Sequence, residues 1–318
     1  MDTEKILITG SSGYVASDLV VRLNDQASIF GVDKISSEHN HINASIESKI
    51  FENYLNQFEG EELIIINLAA ARFDFGATAM DYYKQNVECH QIFTQALNKI
   101  KIKKFIHVSS VAALDGQKIA FSESLNCDDA YRSTKYLQEL TIQKWCDANN
   151  IELIILYPSA IFSDDPRSDT NIGKLQSISK FLPFVPKINV TKSLTYLPSF
   201  SRFIIDSVFG KIPAGKYLTI EKPSLTVSNM IQIISNRPIK QISIPFLQII
   251  LKIFAYCFFI LGFFGRIDLK LTPNRVKKLF TDTSYSKVES ADLDTESYTI
   301  RSHGQLPKVL ANFKRYNK

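Results

Sequence analysis

Lys5-Ile-Leu-Ile-Thr9-Gly10-Ser11-Ser12-Gly13-Tyr14-Val15-Ala16 opens with a short apolar run containing β-branched residues and turns at once through two glycines. Ser17-Asp-Leu-Val-Val-Arg-Leu23 follows with amphipathic spacing, so the stretch predicts strand, glycine turn, helix. In that arrangement Gly10 permits the tight turn and Gly13 lets the backbone approach a pyrophosphate, while the helix N-terminus offers N–H groups and the positive end of its dipole. Ala16 at the third small position still allows close helix–strand packing. Ala27-Ser-Ile-Phe-Gly-Val-Asp33 reads as a second strand ending in an acid about twenty residues beyond the turn, where a carboxylate meets an adenosine ribose 2′-OH. Asp33 therefore predicts NAD; Lys34 beside it tolerates a 2′-phosphate, which keeps NADP open.

Outward from this turn the pattern repeats. Glu62-Leu-Ile-Ile-Ile-Asn67 is a buried run leading into Leu68-Ala69-Ala70-Ala71, whose small residues leave room beside a cofactor. Helical spacing over 81–98 is followed by the strand Lys104-Phe-Ile-His-Val-Ser109. A helix over about 129–148 precedes Ile151-Glu-Leu-Ile-Ile-Leu-Tyr157, which ends at Pro158. Strands alternating with helices, most of them apolar without interruption, predict a Rossmann-type doubly wound parallel sheet covered on both faces. Ligands of such sheets bind at the carboxyl ends of the strands, which is where these residues fall.

Composition narrows the remaining classes. With 318 residues, 45% of them apolar, the chain has more than one ordinary domain's worth of material, which excludes disorder and disulfide-stapled miniatures. The formal charge of +5 is scattered along the chain, so no nucleic-acid-binding stripe is predicted. Cys89, Cys127, Cys146 and Cys257 show no C-x-x-C spacing and no paired histidines, so neither a metal site nor a disulfide framework is expected. A reduced, cytoplasmic compartment fits, and the acidic N-terminus does not read as a signal peptide.

The chemistry-bearing residues follow the fourth long strand. Ser109-Ser110 stands at its end, and Tyr131-Arg-Ser-Thr-Lys135 lies on the next long helix. Tyr131 and Lys135 are i and i+4 and share a face. A phenol has a pKa of about 10, so using Tyr131 as a base near neutrality requires a lowering of roughly 3 units, about 4 kcal/mol. A neighbouring ammonium and an oxidised nicotinamide in a desolvated cleft supply that kind of field. No other tyrosine in the chain has a lysine four residues later.

As a set these motifs resemble the extended short-chain dehydrogenases/reductases, and within them the NAD-dependent epimerase/dehydratase family. Thr9-Gly10-Ser-Ser-Gly13-Tyr-Val-Ala16 is similar to the family's T-G-x-x-G-x-x-G, Asn67-Leu68-Ala69-Ala70 to its H-L-A-A turn, and Asn86-Val-Glu-Cys-His to its N-V-x-G-T helix. Ser109-Ser110 matches its strand-end serines, and Tyr131 with Lys135 its catalytic pair. The resemblance implies that Ser110 binds the reacting sugar oxygen, Tyr131 moves its proton, and Lys135 holds the nicotinamide ribose. Ser109 could take the place of Ser110, because Val-Ala-Ala-Leu-Asp-Gly116 departs from the family's V-Y-G ending and blurs the register. It further implies that Gly10, Ser12, Gly13, Tyr14, Val15, Asp33, Leu68, Ala69, Ala70, Asn86, Ser109, Lys135, Tyr157 and Pro158 line the cofactor, with Tyr157-Pro158 standing where the family has R-P.

From about residue 163 the pattern shifts to loops and shorter helices, which the resemblance assigns to a smaller substrate-binding domain. The expected division is 1–162, with 190–220 returning to it, against 163–189 and 221–318. Asn171, Lys174 and Arg275 are the expected contacts of a nucleotide-sugar diphosphate. The implied activity is redox chemistry at C4 of a nucleotide-sugar, as a UDP-sugar 4-epimerase or a 4-keto-sugar reductase in surface polysaccharide synthesis. Two other readings are a 3-beta-hydroxysteroid-type dehydrogenase and a non-catalytic nucleotide-binding regulator. The 21 residues from Ile244 to Phe264 approach the length of a membrane span but contain Gln248 and Lys252, so they are expected to form the second domain's main buried helix. Peripheral membrane contact through them, and a homodimer of the kind the family forms, are the open partner expectations.

Overall fold

The structure, a computed structural model, describes residues 3–38, 41–71, 77–123, 127–164, 167, 170–179, 183–235, 240–263, 276–277, 279–285 and 298–301. Its elements begin β1 (Lys5–Thr9), α1 (Tyr14–Leu23), β2 (Ser28–Asp33), β3 (Ile42–Asn43), α2 (Lys49–Leu55), β4 (Glu62–Asn67), α3 (Ala79–Tyr83), α4 (Cys89–Leu97), β5 (Lys101–Val108), α5 (Val111–Gly116), α6 (Cys127–Ala148) and β6 (Glu152–Pro158). There follow β7 (Ala160–Phe162), α7 (Asn171–Ser179), β8 (Val185–Pro186), β9 (Thr191–Tyr196), α8 (Leu197–Val208), β10 (Gly215–Thr219), β11 (Glu221–Thr226), α9 (Val227–Ser235), β12 (Gln241–Ile242), α10 (Leu247–Phe263) and β13 (Tyr298–Arg301). They divide into two compact units: Met1–Ser159 with Leu197–Thr219 and Ser290–Arg301, and Ala160–Tyr196 with Ile220–Glu289 and Ser302–Lys318.

The first unit carries eight parallel strands in the order β13-β10-β6-β5-β4-β1-β2-β3, which bears out the doubly wound sheet read from the sequence. Its central strands are buried on both faces, so Ile6, Leu7, Ile8, Leu63 to Ile66, Phe105, Ile106 and Ile154 to Leu156 present an unbroken apolar surface to the helices. One charged residue interrupts this pattern. Lys104 of β5 is almost fully buried, and its ammonium donates to the Ser207 carbonyl of α8 at 2.8 Å and lies 3.4 Å from Glu152. The chain runs outward from β1 through β2 to β3 and then crosses to β4 on the other side. The sheet therefore has its topological switch point between β1 and β4, at Gly10 and Leu68.

One helix differs from its sequence reading. The spacing over 81–98 predicts a single helix, but α3 and α4 are joined by a π-helical turn, Lys84–Glu88. The extra residue turns Asn86 and Val87 inward, where both are buried.

The second unit has a three-stranded sheet, β11-β9-β7, and a two-stranded pair, β12-β8. Among the described residues Phe162, Ile172, Leu194 and Met230 form one core cluster, and Val185, Ile188, Val227 and Ile231 form another, against which Leu247 packs. The expectation that 244–264 is a main buried helix is overturned over its described side chains. Between Leu247 and Cys257 only Ala255 is buried, with Leu247 and Leu251 half-buried. These three recur every fourth residue, so a single narrow stripe faces the core and the remaining apolar side chains stand in solvent.

Candidate active site

The turn after β1 is built as a cradle. Gly10 has φ +74°, and a Cβ there would lie 3.0 Å from the Ala69 nitrogen and the Leu68 carbonyl carbon, so only glycine fits. Gly10 N–H donates to the Val32 carbonyl at 2.8 Å, and Gly13 N–H donates to the Gly10 carbonyl at 3.0 Å, which folds the turn back on itself. Gly13 is the N-cap of α1, and the first turn of that helix carries no acidic side chain. Negative charge is thus favoured by the helix dipole and opposed by no carboxylate in that turn. Asp33, at the end of β2, accepts from Ser12 N–H at 3.1 Å and from Ile35 N–H at 3.1 Å, while the Ser12 hydroxyl donates to the Ile35 carbonyl at 2.6 Å. Asp33 is therefore the brace of the glycine turn. Lys34 is tied to Gln85 at 2.8 Å.

A buried polar row crosses the carboxyl ends of the next strands. Thr9 donates to Asn67 Oδ1 at 2.6 Å, and Asn67 Nδ2 donates to His107 Nδ1 at 3.2 Å. Burial, and next the charge of Lys135, hold the His107 imidazole well below its usual pKa and hence neutral, and its buried Nε2 has no hydrogen-bond partner among the described residues. Asn86, turned inward by the π-helical turn, closes a ring on Ala71: its Oδ1 accepts from Ala71 N–H at 2.8 Å and its amide donates to the Ala71 carbonyl and to Thr134, each at 3.3 Å. Ala71, the last of the small-residue stretch, is thus held by Asn86, which is itself bonded to Thr134 of a helix far along the chain.

The α6 helix supplies most of the chemistry. Thr134, Lys135, Gln138 and Glu139 are buried and Tyr131 is half-buried, a polar stripe at i, i+3, i+4, i+7 and i+8 on the inner face. The Lys135 ammonium donates to Gln138 Oε1 at 2.6 Å and to the Val108 carbonyl at 3.5 Å. Burial lowers its pKa to about 8 against the opposing pull of Glu139 and Cys89. Gln138 passes the connection on, donating to the Ala69 carbonyl at 3.0 Å and to His90 Nε2 at 2.7 Å. His90 is fully buried, which pushes its pKa down to about 3 and keeps it neutral. The neutral ring accepts at Nε2 and donates from Nδ1 to Cys89 Sγ at 3.0 Å, while the Cys89 thiol donates to the Gln85 carbonyl at 2.6 Å. Tyr131 packs edge-on against the buried Tyr82, with ring centroids 5.9 Å apart.

Ser109 and Ser110 have different surroundings. The Ser109 hydroxyl is buried and donates to Glu139 Oε2 at 3.1 Å. Ser110 is half-buried and caps α5, its oxygen accepting from Ala112 N–H at 3.2 Å. That helix ends at Gly116, where a Cβ would stand 2.0 Å from the Arg132 carbonyl oxygen. The α5 backbone thus lies directly on α6 one residue beyond Tyr131, and this close approach ties the segment begun by Ser110 to the one that carries Tyr131.

Several of these groups escape a reading of the sequence. Glu139 accepts from the Tyr157 hydroxyl at 2.5 Å and from Lys216 at 3.0 Å in addition to Ser109. Tyr157, read as a cofactor contact, is fully buried with its hydroxyl on that carboxylate. The signal for Gln138 and Glu139 was present in the spacing of the polar stripe; Lys216 and His90 left none. Asn171 and Lys174 fall in the first turns of α7, but their side chains lie outside the described residues, as does all of Arg275.

A model of the NAD dependent epimerase/dehydratase family matches residues 6–184, over half of the chain. The chain belongs to the NAD dependent epimerase/dehydratase family. The resemblance carried by the motifs is borne out. A relative from Escherichia coli O157:H7, N-acetyl-alpha-D-glucosaminyl-diphospho-ditrans,octacis-undecaprenol 4-epimerase, is 26% identical over 301 residues, covering 91% of this chain and 89% of the relative. The UDP-N-acetylglucosamine 4-epimerase of Methanobrevibacter ruminantium M1, solved with UDP-N-acetylmuramic acid, shares the fold with a TM-score of 0.65 at 18% identity over 99% of this chain and 98% of that one. UDP-glucuronic acid 4-epimerase from Bacillus cereus, solved with UDP-glucuronic acid and NAD, shares it with a TM-score of 0.60 at 19% identity over 76% and 86%.

As a member of the NAD dependent epimerase/dehydratase family the chain calls for a dinucleotide, and its residues fit one. The Gly10 position has no room for a side chain, the N-terminus of α1 lies at the switch point, and Asp33 stands beside both.

Proposed function

We propose that this chain is an NAD-dependent 4-epimerase acting on a sugar carried by a diphosphate. The observation that carries the reading is the path from the Lys135 ammonium through Gln138 to the Ala69 carbonyl, which places the lysine i+4 from Tyr131 and the small-residue turn of β4 in one buried hydrogen-bonded system. NAD, when bound, supplies the acceptor and the donor of a single hydride. Gly10, Ser12, Gly13 and the first N–H groups of α1, at Tyr14 and Val15, receive its pyrophosphate; Asp33 receives the adenosine ribose; Leu68, Ala69 and Ala70 leave space along the sheet edge. Lys135 holds the nicotinamide ribose and, by its charge, lowers the proton affinity of Tyr131.

Tyr131 takes the proton of the substrate's C4 hydroxyl as the C4 hydride departs, leaving a 4-keto sugar. After the ring turns its other face, Tyr131 returns that proton to the C4 oxygen as the hydride comes back, so no net oxidant is consumed. Ser110 is the serine assigned to the C4 oxygen, because Ser109 is occupied by Glu139. Asn171, Lys174 and Arg275 remain the proposed diphosphate contacts. Both carriers named for the relatives, undecaprenyl diphosphate in the E. coli enzyme and UDP in the Methanobrevibacter structure, present that group.

Epimerase is favoured over reductase by the E. coli relative, a 4-epimerase alignable over nine-tenths of both chains. The sterol-type reading gains no support from residues 244–264, whose described apolar side chains stand mostly in solvent. The cytoplasm is the proposed compartment, supported by the free thiols of Cys89, Cys146 and Cys257.

The test is mass spectrometry of small molecules released from the purified protein, followed by incubation with UDP-N-acetylglucosamine and with its undecaprenyl diphosphate counterpart, no cofactor being added. Stoichiometric NAD and appearance of the C4 epimer of either sugar are expected, with Tyr131→Phe slowing the exchange roughly 10²- to 10⁴-fold. Net consumption of NAD(P)H on a 4-keto sugar without interconversion would make the chain a reductase. Full activity in Tyr131→Phe would remove the catalytic assignment.

A further inference from the structure

Beyond the chemistry at C4, the second unit carries a surface with no part in it. On α10, at roughly 100° per residue, Tyr256, Ile249, Ile253, Cys257, Ile250 and Phe254 follow one another around an arc of roughly 160°. All six are exposed, Ile253 to 58% and Phe254 to 53%. Gln248 and Lys252, also exposed, occupy the edge between this arc and the inward stripe of Leu247, Leu251 and Ala255. Phe246, just before the helix, is 75% exposed and holds φ +55°, a left-handed conformation seldom taken by a bulky residue. The usual arrangement of a surface helix is thus inverted, with its widest apolar face directed away from the core.

Charge accompanies that face. Residues 237–287 contain nine Lys and Arg against two Asp and no Glu, whereas the rest of the chain contains 28 against 30. The net positive charge of the whole protein therefore resides in the stretch around α10, and Lys240, Lys252 and Lys277 within it are exposed. An apolar arc edged by Lys252, within a basic stretch of sequence, is complementary to an anionic lipid surface: apolar side chains for the acyl boundary and ammonium groups for the headgroups. Among the described residues no helix is long and apolar enough to cross a membrane, so the fitting geometry is a helix lying in the plane.

We infer that α10, with Phe246, Lys252 and the basic stretch that flanks the helix in sequence, docks this protein onto an anionic membrane surface. The inference stands apart from the sugar chemistry and is tested without it. The full-length protein is floated with vesicles of equal parts phosphatidylglycerol and phosphatidylcholine, and with vesicles of phosphatidylcholine alone. Wild type is expected to float with the mixed vesicles and at least roughly tenfold less with the neutral ones. The double substitution Ile253→Glu with Phe254→Glu is expected to weaken binding to mixed vesicles by at least roughly tenfold, and Lys252→Glu with Lys277→Glu to do so several-fold. Should the first pair fail to fold, Ile249→Glu reads the same face. Wild type remaining unbound to mixed vesicles would overturn the inference, as would equal flotation of wild type and the apolar-face variants. A dimer in sedimentation velocity that the Ile253/Phe254 substitutions convert to monomer would overturn it too, because the face would then belong to a second copy.

Discussion

Helices α6 and α10 are the two longest in the described chain, and each reverses the ordinary rule of what goes inside. The α6 helix buries Thr134, Lys135, Gln138 and Glu139, while α10 exposes Ile249, Ile250, Ile253 and Phe254. Burial of polar groups is tolerated in α6 because each is bonded: Lys135 to Gln138, Gln138 to Ala69 and His90, Glu139 to Ser109, Tyr157 and Lys216. The exposed aliphatic groups of α10, by contrast, leave apolar area in water, Ile249 at 54% and Ile253 at 58% exposure. The pair teaches that departures from hydropathy order mark work: held charge at one helix, and a surface for something else at the other.

Lys135→Met is the sharpest attempt to break this comparison. Activity is expected to fall by roughly 10²-fold or more, since the charge proposed to tune Tyr131 is gone. Stability should move the other way. The lysine's folded pKa, about 8, lies below its ordinary value, so the cost of burying the ammonium is fully present below pH 8 and fades as pH rises from about 8 to 10.5. Urea unfolding at pH 7 should therefore show a gain of up to about 3 kcal/mol for the variant, shrinking toward pH 10.5. A variant less stable than wild type at pH 7 would show that the ammonium is a net support of the fold.

Gly116→Ala tests whether α5 and α6 must touch at the backbone. The added methyl meets the Arg132 carbonyl at 2.0 Å, and the expected outcome is a loss of about 2–3 kcal/mol in unfolding with a fall in kcat that exceeds any change in KM. Unchanged melting and turnover would mean that α5 shifts freely on α6.

His90→Gln reads the neutral end of the α6 network. The buried histidine's pKa of about 3 is depressed, so protons favour the unfolded chain between about 3 and 6.5 and stability falls as pH drops through that window. Between pH 6.5 and 5, wild type should lose about 2 kcal/mol more than the glutamine variant in urea titrations. Parallel losses in the two proteins would place the acid sensitivity elsewhere, with His107 the next candidate.

The smallest effect is expected at α10. Ile249→Ser removes an aliphatic side chain that is 54% exposed, so thermal unfolding should register a change within about 0.5 kcal/mol. A cost near that of a core truncation would show that the face is covered and would dissolve the contrast with α6.

Much of the site was legible because it is local. Gly10, Gly13 and Asp33 belong to one strand–turn–helix–strand unit, and Tyr131 with Lys135 to one helical turn, so residue type and spacing suffice to read them. The choice between Ser109 and Ser110 could not be read this way. In the structure the Ser109 hydroxyl donates to Glu139, thirty residues on, which supports Ser110 in the proposed reading. Tyr157 shows the same limit: the resemblance implies a cofactor contact at this position, and that its hydroxyl also donates to Glu139 is visible only in three dimensions.

What the sequence by itself determined was therefore the alternation of buried strands with amphipathic helices, the glycine turn and the family, all written in periods of two to four residues and in short motifs. Only the tertiary structure decided which side chains share protons and which faces meet water. Lys216 reaches Glu139 across 77 positions, Gly116 needs its missing Cβ because of Arg132, and α10 buries Ala255 and half-buries Leu247 and Leu251 while the other apolar side chains between Leu247 and Cys257 are exposed. Hydrophobic pattern states what a segment can bury; how much core there is to bury it in depends on every other segment at once.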